Sequence, residues 1–137
     1  MTTAQRIKDA LIAYLTEFTP DESITIVDAR QRADMDLPTL TVDVVGIAAH
    51  STALAMVHTG TVQCVLRCHA GDESDADVPA WIDAIESLLF DVSGVKAAIT
   101  GTYVLCYDFV YGGSEQDWDE STLEVTFTAE CLFAKQG

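Results

Sequence analysis

Basic side chains are scarce in this sequence. Its 137 residues include 7 Lys and Arg against 22 Asp and Glu, which gives a formal net charge of −15. A protein that grips nucleic acid needs Lys and Arg to neutralise phosphates, and a protein that docks on an anionic membrane needs them as well. The charge balance therefore argues against both kinds of tight binding.

Long apolar runs are also missing. No stretch approaches the roughly 18 apolar residues of a membrane-spanning helix, and residues 1–15 lack the uninterrupted apolar core of a signal peptide. We therefore expect a soluble protein made in the cytoplasm. Apolar residues still make up 49% of the chain, which is enough for a sizeable core. This length suits a single domain over 1–137.

Sequence motifs that carry catalytic chemistry are absent too. Gly112-Gly113 is a turn signal and belongs to no GxGxxG or GxxxxGK[ST] phosphate loop, and no GxSxG elbow occurs. The acidic run 72–77 lacks the Gly and Glu that complete a calcium loop. Cys68 and His69 are adjacent in a predicted strand, so their side chains point to opposite faces. We therefore predict no enzymatic activity, no cofactor and no metal.

The cysteines lie in apolar, strand-like segments. They are Cys64, Cys68, Cys106 and Cys131. A free cysteine packs as a small hydrophobic residue, so we interpret all of them as reduced core thiols. A zinc site is the alternative, but it usually needs paired ligands about two to four residues apart on turns. Here one pair shares a strand and the other two cysteines are solitary.

Apolar periodicity predicts two amphipathic helices. Apolar residues recur at helical spacing over 3–18 and again over 78–91. Thr2 or Thr3 could cap the first helix, and Asp77 is expected to cap the second. The pattern also allows a short helical turn at 95–99.

Alternation of apolar and polar residues predicts five strands. They cover 23–29, 39–46, 60–70, 101–111 and 122–133. Residues 47–58 are interpreted as a long connection, and 112–121 as the loop of a hairpin. Strands that follow each other pair most easily when antiparallel. The predicted fold is therefore α+β: a mostly antiparallel sheet of about five strands with two amphipathic helices packed on one face.

The predicted strand 101–111 is apolar on both faces. One face is expected to carry Tyr103, Leu105, Tyr107, Phe109 and Tyr111, and the other Val104, Cys106 and Val110. A strand with two apolar faces needs two partners. A neighbouring subunit could supply one of them, and burial inside the monomer is the alternative.

Four landmarks of the chain together resemble the tail-terminator family of long-tailed bacteriophages, which grades into tail-completion and head–tail joining proteins. They are the opening helix IKDALIAYL, the strand LPTLTVDVVG, the strand GTVQCVLRCHA before an acidic loop, and the helix VPAWIDAIESLLF before two long strands. The resemblance covers nearly the whole chain. It depends on apolar spacing and includes no signature motif.

The resemblance implies a structural virion protein that caps the head-proximal end of the tail tube as a ring. Such a ring stops tube polymerisation and joins tail to head. The implied partners are copies of the same chain in a hexamer, the tail tube protein and a head connector or neck protein. DNA would pass through without specific binding, no membrane is involved, and assembly would occur in the host cytoplasm. No catalytic residue carries over.

Two other functions stay open at this point. A head-completion or neck adaptor belongs to the same structural class and would dock on the portal side. A small α+β ligand- or metal-binding domain belongs to a different class. Mass in solution separates the two classes, because a ring assembles and a monomeric binding domain does not.

Two sets of residues are candidates for contact with partners. The apolar candidates are Leu54, Met56, Val57, Val104 and Val110. The connection 47–58 is expected to be mobile in a free subunit and to order against a partner, because connections of about this length are usually functional or flexible. Its apolar residues would otherwise pack beneath the sheet.

The acidic candidates fall into two predicted loops. They are Asp72, Glu73, Asp75 and Asp77 in the first, and Glu115, Asp117, Asp119 and Glu120 in the second. In a tail ring these side chains would repel phosphate and let DNA slide through, or one loop would meet a basic patch on a neighbouring ring. Solubility alone is the simpler alternative.

Overall fold

The helices and strands are those of a computed structural model that describes residues 2–19, 24–31, 38–49, 57–69, 78–119 and 121–135. The helices are α1 (Thr3–Phe18), α2 (Val78–Phe90) and α3 (Val92–Ile99). The strands are β1 (Thr25–Asp28), β2 (Thr39–Ala49), β3 (Val57–His69), β4 (Val104–Asp119) and β5 (Thr122–Lys135). A 3₁₀ turn, Ala29–Gln31, follows β1. Within these ranges no helix has the length and apolar character needed to cross a bilayer.

All the strands belong to one sheet in the order β1-β2-β3-β5-β4. The pair β1–β2 is parallel, and the pairs β2–β3, β3–β5 and β5–β4 are antiparallel. The predicted α+β fold with a mostly antiparallel sheet is confirmed. The strand β4 lies at one edge of the sheet and the short strand β1 lies at the other.

The helices cover one face of this sheet. In β5, the alternate residues Leu123, Val125, Phe127, Ala129, Cys131 and Phe133 are buried. They share one core cluster with Ile7 and Leu11 of α1 and with Ile85 and Leu89 of α2. Of the residues between them in β5, Thr128 and Glu130 are exposed and the others are half-buried. We call the two sides the helix face and the open face.

Side-chain caps define where two of the helices begin. The Thr2 hydroxyl accepts a hydrogen bond of 3.1 Å from the Gln5 N–H, so the predicted cap of α1 is confirmed. The Asp91 carboxylate accepts one of 3.1 Å from the Gly94 N–H and starts α3 directly after α2. This third helix is longer than the turn expected at 95–99. The predicted cap Asp77 lies outside the described residues.

Two segments predicted to be connections contain strand residues. Residues 47–49 extend β2 and residues 57–58 begin β3, so 47–58 is not one long loop. The segment Gly112–Asp119 continues β4 and is not the loop of the hairpin. Register shifts at Val44/Gly46 and at Tyr111/Gly113 explain the difference. A β-bulge accommodates an extra residue and lets the ladder continue beyond it.

A further bulge changes which residues of β4 share a face. Cys106 pairs with Phe133 and Asp108 pairs with Leu132, so Tyr107 is the extra residue. Alternation restarts after it, and Phe109 is therefore buried on the same side as Cys106. The prediction of which residues of 101–111 share a face is therefore wrong, because strict alternation does not hold across the bulge.

Candidate functional site

The far end of the β4–β5 hairpin, beside the start of α2, forms a groove of about 410 Å³. Its lining residues are His69, Val78, Pro79, Ile82, Asp83, Gln116, Trp118 and Leu123. Trp118 pairs with the buried Leu123, which places it on the helix face. It is nevertheless 65% exposed, because the strand reaches past the cover that α2 provides. We call this feature the hairpin groove.

Carboxylates follow the same stretch of β4 on the other side of the sheet. Glu115, Asp117 and Asp119 alternate with the residues that line the groove, and all three are exposed. They pair with Thr126, Glu124 and Thr122 of β5. The neighbouring cation, Arg67, is already bonded to Glu124 with an N–O distance of 3.2 Å. The strand end therefore has one mainly apolar side, which also includes Asp83 and Gln116, and one strongly acidic side.

Tyr111 attaches β4 to α2 just before the Gly113 bulge. Its hydroxyl donates a hydrogen bond of 2.6 Å to the Glu86 carboxylate. Its ring meets the ring of Phe90 edge-on, with 4.7 Å between the centroids. Burial and the adjacent Glu86 both raise the pKa of the Tyr111 hydroxyl, so it remains a donor at ordinary pH. These contacts fix the strand that carries the groove and the carboxylates.

A second exposed apolar patch lies at the opposite end of the sheet, where β2 and β3 extend beyond the helices. Val45, at the bulge in β2, is 53% exposed, and Ile47 is 40% exposed. The neighbouring His58 ring stacks on Phe133 at 5.6 Å between centroids. Neither Val45 nor Ile47 was a candidate from sequence, because the alternation alone gave no sign of the bulge.

The predicted apolar contact residues have different outcomes. Leu54 and Met56 lie outside the described residues. Val57 is half-buried at the start of β3. Val104 is 3% exposed and shares the helix face with Cys106, two residues along the strand, so it belongs to the core and is not available to a partner. Val110 is 55% exposed and remains available.

The predicted acidic residues also have different outcomes. Asp72, Glu73, Asp75, Asp77 and Glu120 lie outside the described residues. The other three, Glu115, Asp117 and Asp119, belong to a strand and not to the loop expected for them. Trp118 was missed as a candidate, although an aromatic residue inside an acidic segment is itself an unusual signal.

The thiols belong to the core and not to this site. All four cysteines are free and buried, which confirms their interpretation as core residues. Burial raises the pKa of Cys64 to about 12. The Cys106 and Cys131 sulfurs are 3.6 Å apart, and their hydrogen bond lowers the pKa of Cys106 and raises that of Cys131. Among the residues described, no group of three or more His, Cys, Asp or Glu is placed to hold a metal ion.

A buried charge cluster joins α1 to the sheet. The Lys8 ammonium lies 3.2 Å from an Asp28 carboxylate oxygen and 3.3 Å from one of Asp43. Asp28 also accepts hydrogen bonds from the Gln5 side chain and the Arg30 N–H. Each donor has an acceptor, so the cluster needs no ligand and serves the fold.

The fold defines an α+β protein with one helix-covered face and one open face, an architecture that hosts many functions. No protein-family model matches the chain, and comparison with curated proteins finds no significant match either.

Proposed function

We propose that this chain is a structural virion protein of a long-tailed bacteriophage that forms a ring at the head-proximal end of the tail tube. In that position it stops tube polymerisation and joins tail to head. The observation that carries the proposal is the open face of the sheet. Across β3, β5 and β4 that face is mostly polar and its charged side chains are mainly acidic, whereas Thr39 and Thr41 of β2 on the same side are buried.

The open face suits a surface past which DNA moves. Near its centre, Thr61 pairs with Glu130, and Gln63 pairs with Thr128. Asp108 and Val110 continue this surface on β4. Carboxylates repel phosphate, and hydroxyl groups offer no charge that would hold it. A duplex can therefore slide past such a face without the salt-dependent grip that Lys and Arg provide.

The exposed apolar side chains at the end of β2 supply a surface for ring closure. Val45 and Ile47 lie near the end of β2, and each keeps about half of its side-chain surface exposed. A ring closes through one heterologous interface, in which this patch of each subunit meets a different patch of the next. Because each side chain is already about half buried, its full burial at such an interface would favour assembly by about 0.7–1.5 kcal/mol.

The mass of the purified protein in solution tests the ring. We expect a concentration-dependent hexamer and ring-shaped particles in negative stain, both on isolated protein and at the tail end. Val45→Asp with Ile47→Asp should give a folded monomer, because each carboxylate would have to be buried at the interface. Ala80→Asp, at an exposed position of α2, is the matched control and should leave the ring intact. A wild-type protein that is monomeric at all concentrations and absent from tails contradicts the proposal.

Ejection of DNA from assembled virions tests the open face. Replacing Asp108 with Asn and Glu130 with Gln removes two exposed charges without changing side-chain size. We expect normal tail joining with slower ejection, since phosphate is then repelled less. Normal ejection from such virions would remove the argument for a channel-facing sheet.

A further inference from the structure

The outer edge of β4 consists of two different halves. In the first half, the edge is closed by neighbouring groups of the same chain. The Gly101 N–H donates to the Val104 carbonyl at 2.8 Å, and the Cys106 N–H donates to the Thr100 hydroxyl at 3.0 Å. The Phe109 N–H donates to the Asp108 carboxylate at 2.9 Å. These bonds prevent another strand from pairing with this half.

In the second half, the outward backbone groups point the same way, and no described residue forms a hydrogen bond of this kind with them. In a strand of fixed direction, residues whose side chains share one face direct their N–H and C=O groups to the same edge. Val104, Cys106 and Phe109 lie on the helix face and point outward. Ser114, Gln116 and Trp118 also lie on the helix face, because they pair with the buried Phe127, Val125 and Leu123. No hydrogen bond from another described residue reaches their outward backbone groups.

The charges beside this open edge decide what can pair with it. Glu115, Asp117 and Asp119 line its open-face side. A second copy of the strand would bring the same carboxylates into direct opposition, which is destabilising. The net charge of −15 strengthens that repulsion. The occupant that fits is therefore cationic and belongs to a different protein.

The other side of the edge selects apolar residues. A strand added beyond Ser114–Asp119 would place alternate side chains on the helix face, next to Trp118 and the hairpin groove. Pro79 and Ile82 of α2 lie in the same groove. Side chains between them would lie on the open face, against the carboxylates. A partner strand that fits both sides therefore has apolar and basic residues at alternate positions.

We propose that Ser114–Asp119 of β4 binds, by strand addition, an extended segment of a partner protein in which basic and apolar residues alternate. Backbone hydrogen bonds to the outward groups of the edge provide affinity, and the carboxylates and the hairpin groove provide specificity. All the residues of the proposed site belong to one subunit. The proposal therefore applies to a monomer as well as to a ring, and its failure would be separate from failure of the ring.

A synthetic peptide tests the site directly. The probe is an end-labelled peptide of about nine residues in which lysine and valine alternate, long enough to cover the open half of the edge. We expect saturable binding with a Kd of about 1–100 μM at low salt, weakening as salt is raised. A peptide alternating glutamate and valine, and one with the same lysines and valines in two blocks, should each bind at least about tenfold more weakly.

Two substitutions at one position separate backbone pairing from side-chain contact. Gln116→Pro removes an outward N–H that the ladder to β5 does not use, and edge strands tolerate proline at such positions. We expect loss of peptide binding with the fold retained by circular dichroism. Gln116→Ala keeps the N–H and is the matched control, with binding within about threefold of the wild type. Equal binding by both variants would overturn strand addition.

Charge reversal provides a second test if the proline variant does not fold. The double variant Glu115→Lys, Asp117→Lys should bind the lysine–valine peptide at least about tenfold more weakly than the wild type does. It should bind the glutamate–valine peptide more tightly than the lysine–valine peptide. An unchanged preference overturns the proposal. So does a wild-type dimer that Gln116→Pro makes monomeric, because the occupant would then be a second copy. The Val45→Asp, Ile47→Asp monomer should bind the peptide as the wild type does.

Discussion

Lys8 shows how one buried charge can matter for the whole chain. It is 2% exposed, and its ammonium has carboxylate partners in both β1 and β2. Lys8→Met keeps the length of the side chain but leaves Asp28 buried without its cation. We expect a loss of about 3–5 kcal/mol in the free energy of unfolding, measured in urea.

Two further variants check that reason. Lys135→Met changes an exposed lysine and should stay within about 0.5 kcal/mol of the wild type. Adding Asp28→Leu to Lys8→Met removes the unpaired carboxylate and should recover part of the loss. If the double variant is as unstable as the sum of its single variants, the two side chains do not act as a pair.

Asp28 also sets a pH dependence of stability. Its burial alone would raise the pKa, but hydrogen bonds from the Arg30 N–H and the Gln5 and Lys8 side chains outweigh it and hold the pKa below the ordinary 3.8. The group therefore stabilises the fold above pH 3.8, and that contribution is lost as the pH falls from there through the lower folded-state pKa. Unfolding free energies measured from pH 6 downward should fall less steeply in Asp28→Asn than in the wild type. Parallel curves would contradict this.

At the scale of elements, bulges let the long strands continue. Gly113, at the second bulge of β4, has a φ of 120°, which L side chains rarely adopt. Gly113→Ala should therefore lower stability by about 1–2 kcal/mol through backbone strain alone, since a Cβ there meets nothing within 4 Å. A Cβ at Gly101 would also meet nothing within 4 Å, and this glycine has no positive φ. Gly101→Ala is therefore the control and should leave the stability nearly unchanged. Thermal unfolding of both variants measures the difference.

Bulges also explain which elements could be predicted from the sequence. The stripes of α1 and α2 and the alternation in β3 and β5 are regular, and their positions were predicted to within a few residues. The extension of β4 through Gly112 and Gly113 could not be predicted, because two glycines followed by acidic residues are typical of a turn. The extra residue at Tyr107 gives no local signal, since the pairing with β5 decides it.

The candidate site was predictable only in part for the same reason. Its carboxylates at 115, 117 and 119 are conspicuous in the sequence and were named. Trp118 and the groove depend on how far β4 extends past α2, which is a property of tertiary packing. The open backbone edge depends on the strand order, which alternation within one strand does not reveal.

At the scale of the whole molecule, the surplus of acid works against compactness. With 22 acidic and 7 basic residues, the folded chain concentrates negative charge that the unfolded chain spreads out. Raising the salt from about 0.01 M to about 0.15 M shortens the screening length from about 30 Å to about 8 Å. We expect the midpoint of thermal unfolding to rise by several degrees.

A charge-neutral variant provides the comparison for that prediction. Glu115→Gln, Asp117→Asn and Asp119→Asn remove three exposed charges that lie close together on β4. The variant should be more stable than the wild type at low salt and should gain less from added salt. An unfolding midpoint that is independent of salt in both proteins would mean that the charges are too far apart to interact.

The strand order also has a consequence for synthesis on the ribosome. The strand β5 follows all the others in the sequence yet lies inside the sheet, between β3 and β4. Until about residue 135 has emerged from the exit tunnel, β3 lacks one neighbour and β4 lacks its only described one. The strand β3 therefore keeps an open edge while residues 70–135 are made, a period of several seconds at about 5–20 residues per second, and β4 does so for the shorter time until β5 follows it. During that time the repulsion between negatively charged nascent chains on one polysome would help to keep those edges apart.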